Sequence, residues 1–120
     1  MGLGIVLMLA FAWRLLPMPF STELERIGQG RAAAVIVHDH NLTYSNELVE
    51  QLGSLRRSYE DRMYFLLADA HHPDGRAFMR AEGVEPMTLL VFDDTGRLLY
   101  AEHAPHTHRL ASILDRALGQ

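Results

Sequence analysis

Seven histidines stand among 120 residues, and their placement is more telling than their number. His38 and His40 close one apolar run, His71 and His72 close a second, and His103, His106 and His108 follow a fourth. Imidazole is a common ligand for zinc, copper and nickel, and three or four ring nitrogens at roughly 2.0–2.1 Å complete a site. His38 and His40, two apart in extended backbone, are able to point the same way. No spacing matches a motif as specific as the helical H-E-x-x-H. Free imidazole titrates near ~6.5, so the same residues also suit a pH response.

Other chemistry has less behind it. Asp69, Asp74, Asp93 and Asp94 sit in turns, where aspartate serves the backbone. Ser45 near a histidine suggests a hydrolase, but no G-x-S-x-G elbow surrounds it. The chain has no cysteine, which removes disulfides, thiolate metal sites and thiol redox chemistry. A net charge of −4 and a pI near 5.9 argue against nucleic acid, whose partners carry basic patches. All 11 basic residues are arginine.

The elements that position these residues are readable from periodicity. Ala32 to Val37 is an uninterrupted apolar run, which predicts a buried strand. It breaks at His38-Asp39-His40-Asn41, and a helix follows with Leu48, Leu52, Leu55 and Tyr59 at helical spacing and Thr43 or Ser45 as N-cap. A loop between strand and helix lies at the carboxyl edge of a sheet, where open α/β folds place their sites. Arg56, Arg57, Glu60 and Asp61 read as a solvated helix end. Met63 to Ala68 is a second strand, and Arg76 to Ala81 a short helix stopped by Gly83. Met87 to Phe92 is a third strand, Asp93-Asp94-Thr95-Gly96 a hairpin turn, and Arg97 to Ala101 the returning fourth. Thr107 caps a last helix striped by Leu110, Ile113, Leu114 and Leu118. The order is βαβαββα, with strands joined by helical crossovers parallel and the final pair antiparallel.

Before this domain come Met1 to Phe20, apolar except for Arg14, with Pro17 and Pro19 ending any helix near Leu16. Such an N-terminal apolar helix spans roughly 24 Å, short of a ~30 Å hydrocarbon core. Three readings stand: an uncleaved anchor with Arg14 snorkelling, a signal peptide with Ala10-Phe11-Ala12 at its cleavage site, or a docked apolar helix. Membrane association or export is expected, in a bacterial-type inner membrane or envelope with the domain on the periplasmic side. By the positive-inside rule, however, Arg14, Arg26 and Arg31 favour a cytoplasmic domain. Ser21 to Gly30 reads as a short linker helix with an N-cap and a glycine stop, and residues 32–120 as the folded domain.

From about Ala32 to Leu118 this order and these lengths resemble the thioredoxin family. The closest local match is GVEPMTLLVFDDTGRLLY, residues 83–100, which looks like the family's glycine, cis-proline, threonine, apolar strand and hairpin. The resemblance implies an α/β fold, a thioredoxin-like mixed four-stranded sheet flanked by helices. It also implies that the fourth strand runs parallel to the first, so that all seven histidines lie towards one edge. The family's redox pair opens the first long helix, where this chain has Asn41-Leu42-Thr43-Tyr44-Ser45-Asn46, with Leu42 and Ser45 at the cysteine positions. Pro86 is followed by Met87 before Thr88, one residue off the family's spacing.

Two functions follow as expectations. The first is a redox-inactive accessory or scaffold subunit of a membrane complex, with no cofactor and no catalysis. It would bind protein through Leu42, Thr43, Tyr44, Ser45, Pro86, Met87 and Thr88, using the groove beside the proline. The second is a metal-binding or metal-delivery protein taking zinc or copper on its histidine edge.

Overall fold

A computed structural model describes residues 20–119. The expected N-terminal helix, and with it the anchor or signal segment, lies outside the described residues except for Phe20. Among the described residues no helix is long and apolar enough to cross a membrane.

Four strands form one sheet in the order β2-β1-β3-β4: β1 (Ala32–His38), β2 (Met63–Asp69), β3 (Thr88–Phe92) and β4 (Leu98–His103). Among the described residues three α-helices flank it: α1 (Thr43–Tyr59), α2 (Pro73–Glu82) and α3 (Leu110–Ala117). Ala33 to Val37 are buried on both faces of β1, which is why that strand reads as continuous apolar sequence. Ala34 and Ile36 face Leu48 and Leu52 of α1 and Leu110 and Leu114 of α3. Ala33, Val35 and Val37 face the other way, where Phe78 and Met79 of α2 cover them.

β1 and β2 are parallel across the α1 crossover, in a register that sets His38 opposite Asp69. β3 departs from the sequence expectation. Although a helix joins it to β2, it pairs antiparallel to β1, with Val35 opposite Leu90. Between α2 and β3, Gly83 and Met87 both take positive φ, 66° and 70°. β4 is antiparallel to β3 and therefore runs with β1, as the resemblance implied. The hairpin turn is held by the Asp93 carboxylate, which accepts from the amides of Thr95 and Arg97 at 2.9 Å each.

Local expectations shift at several points. Ser21–Gly30 does not form a helix beyond one 3-10 turn, Leu24–Arg26. Ser21 instead bridges to Leu66 at the outer margin of β2, its carbonyl accepting from Leu67 N–H at 2.9 Å, and Gly28 and Gly30 take positive φ. Leu24 and Ile27 pack on the α2-side core, so this stretch belongs to the domain and is not a free linker. The short second helix begins earlier than Arg76, at Pro73, because proline is well suited to the first helical position. Thr107 opens a 3-10 turn, Thr107–Arg109, that leads into α3 without a side-chain cap. Among the described residues every peptide bond is trans, including that before Pro86.

Candidate functional site

The site region is built where the β1–α1 and β2–α2 loops leave the sheet at one end. Neither Thr43 nor Ser45 caps α1. The N-cap is Leu42, without a side-chain bond, and Thr43 is the first helical residue. Ser45 lies in the first turn, wholly buried, with its hydroxyl turned back into the preceding loop. It accepts from Asp39 N–H at 3.0 Å and lies 2.8 Å from Nδ1 of His38. Having accepted from the amide, the hydroxyl has its own hydrogen to offer to an unprotonated Nδ1 of a neutral ring. Burial lowers the pKa of His38, against an upward pull from the Asp69 carboxylate, and favours that neutral ring. A serine with no exposure and both hydrogen-bonding roles filled is a structural clasp, not a nucleophile open to substrate.

Asp39, which follows in the loop, is the residue that sequence reasoning missed. Its Oδ1 lies 2.7 Å from Nε2 of His71 and accepts from Asn41 N–H at 3.0 Å. The His71 contact, more than the Asn41 amide, holds the Asp39 carboxyl below its usual pKa. The rings of His40 and His71 stand 4.6 Å apart. The only sequence signal for Asp39 was its place between two histidines, in a turn where aspartate is ordinary.

The structure thus gathers two of the seven histidines. His38 is half-buried and meets Ser45, whereas His40 is exposed. His72 caps α2, its Nδ1 accepting from Asp74 N–H at 3.2 Å. The loops after β1, β2 and β4 lie at the same end of the sheet, but β3 separates β4 from β1. His106 and His108 stack on each other there, with ring centroids 5.3 Å apart, while His103 ends β4 as an exposed residue.

The residues expected to meet a partner divide by exposure. Leu42 is 37% exposed and Thr43 is exposed, whereas Ser45 and Thr88 are buried. Tyr44 is half-buried and donates its hydroxyl to the Pro105 carbonyl at 2.6 Å. Met87 has both main-chain groups committed: its N–H donates to Val37 O at 2.7 Å and its carbonyl accepts from Ala104 N–H at 2.9 Å. Main-chain pairing with an extended peptide has no free partner at that residue. Beside it, Val84, Glu85, Thr88, Glu102 and His103 line an open groove of about 320 Å³.

No protein family's sequence profile matches the chain, and no curated protein matches it by sequence. Solved structures do match in shape. The germline-specific thioredoxin Deadhead of Drosophila melanogaster superposes with a TM-score of 0.69 at 16% identity, over 82% of this chain and 97% of that one. Thioredoxin O2 of Arabidopsis thaliana gives 0.67 at 15% identity, over 82% and 91%. A designed protein gives 0.68 at 20% identity, over 88% and 96%. With Leu42 exposed, Ser45 buried and no sulfur at either position, dithiol exchange has no thiol to run on. The chain has a thioredoxin-like fold that lacks the redox cysteine pair.

Proposed function

We propose that this protein is a redox-inactive thioredoxin-like binding module, held to a membrane-associated complex through its apolar first twenty residues. The observation that supports this most is the state of the loop opening α1. Its inner position is a buried serine tied into the backbone, and its outer position is an apolar side chain, Leu42, left 37% exposed. Such a loop is fixed in shape and presents carbon, which suits recognition of a protein surface. Leu42 and Thr43 are the contact residues, while Ser45, Tyr44 and Met87 hold the loop and its neighbours in place.

Purification of the full chain from native membranes tests the reading. A stable assembly is expected, and Leu42→Glu should release the partner without changing the melting temperature. A monodisperse monomer that brings nothing with it would overturn the proposal.

A further inference from the structure

The parallel register of β1 and β2 sets His38 level with Asp69, so both loops depart from the same height. Two residues beyond each of these, His40 and His71 meet, with rings 4.6 Å apart and inclined at 52°. Asp39 completes the group. One donor atom from each of Asp39, His40 and His71 lies within 4.8 Å of the other two, and among the described residues no other three such side chains converge. The surrounding backbone is pinned. Asp69 Oδ1 accepts from His71 N–H at 2.8 Å, Asn46 Nδ2 donates to the His40 carbonyl at 3.1 Å, and Ser45 Oγ holds Asp39 N–H. Rigid supports of this kind orient the side chains that ligate a metal.

We propose that Asp39, His40 and His71 bind a divalent first-row transition ion, of which zinc suits the ligand set well. Two imidazoles and one carboxylate are ordinary ligands for that ion, and three protein ligands leave a fourth position for water or a partner's donor. Around a tetrahedral ion with bonds of about 2.0–2.1 Å, ligand atoms stand roughly 3.3 Å apart. The His71–Asp39 contact, 2.7 Å as it stands, opens slightly as the ion replaces the shared hydrogen, and His40 closes in. Both imidazoles are exposed, so these are side-chain rotations and the strands need not move. The site is independent of whether Leu42 meets a partner.

The test uses the full chain stripped with chelator, titrated with zinc chloride by calorimetry and with cobalt chloride by visible absorption. One saturable equivalent is expected. His71→Ala and His40→Ala should each weaken zinc at least about tenfold, the low end of losses for groups that support a metal. The cobalt spectrum should lose intensity in both. The paired variant His106→Ala with His108→Ala should bind as the parent does. His40 makes no side-chain hydrogen bond that the fold uses, so His40→Ala keeps the test valid if His71→Ala unfolds. No saturable uptake would overturn the proposal. So would unchanged binding in His40→Ala, or an equal loss in the His106 and His108 variant.

Discussion

The Ser45 hydroxyl stands 2.8 Å from Nδ1 of His38, joining the first turn of α1 to the last residue of β1. The same oxygen takes the Asp39 amide, so one buried atom closes the loop that separates strand from helix. Ser45 is a fastening point between strand and helix.

Ser45→Ala measures that fastening. It leaves a part-buried amide and an imidazole nitrogen without their partner, which costs about 1–3 kcal/mol. For a domain of this size the melting temperature should fall by roughly 4–8 °C for each kcal/mol lost. Chemical denaturation of parent and variant gives the difference directly. A change within about 0.5 kcal/mol, the range of an ordinary surface substitution, would show that the clasp carries no load.

Gly75 tests the fit of α2 against β2. On helix propensity alone, alanine should be better than glycine inside α2 by up to about 1 kcal/mol. A β-carbon there would stand 1.9 Å from the Asp69 carbonyl oxygen, which is backbone and has nowhere to go. Steric cost therefore exceeds propensity. Gly75→Ala should destabilise by about 3 kcal/mol or more, while the exposed control Ala77→Gly loses only about 1 kcal/mol. Thermal melts decide the sign, and a stabilised Gly75→Ala protein would refute the close approach.

Glu102 sets an acid limb. The Tyr100 hydroxyl, and after it the Arg109 guanidinium at 2.9 Å, hold its carboxyl below the usual value. A carboxyl depressed in the folded state binds fewer protons there than in the unfolded chain, so its contribution is complete above the unfolded value near ~4.3 and is lost as the pH falls through the folded one. Glu102→Gln should be less stable than the parent at neutral pH, modestly so because the pair is partly exposed. The two proteins should converge as the pH falls through the folded value, read as denaturation midpoints across the acid range. A gap that stays constant with pH would locate the effect elsewhere.

What the sequence disclosed divides along the same physical lines. β1 was legible because Ala33 to Val37 are buried on both faces, and burial leaves an unbroken apolar run. The hairpin was legible because Asp93 and Gly96 are what such a turn requires. The direction of β3 was legible only through the resemblance, since the helical crossover before it suggested a parallel strand, and the positive φ of Met87, a residue with a β-carbon, has no local signal. The seven histidines end or follow β1, β2 and β4, whose carboxyl ends lie at one end of the sheet. Which of them meet depends on strand order, and β3 intervenes between β1 and β4. Ser45 looked like a cap because local spacing cannot reveal that its hydroxyl reaches back six residues to Asp39.

Ser21, lying along the outside of β2, has a bearing on growth of the sheet. Its carbonyl already takes the Leu67 amide, so a neighbouring molecule cannot continue the ladder there. The opposite margin, β4, carries Leu98 and Leu99 at 44% and 45% exposure, and among the described residues no strand pairs with it there. With one margin plugged and one open, edge-to-edge addition joins two copies through the same strand and then stops. Fibre-like stacking would first require the Ser21 segment to peel away.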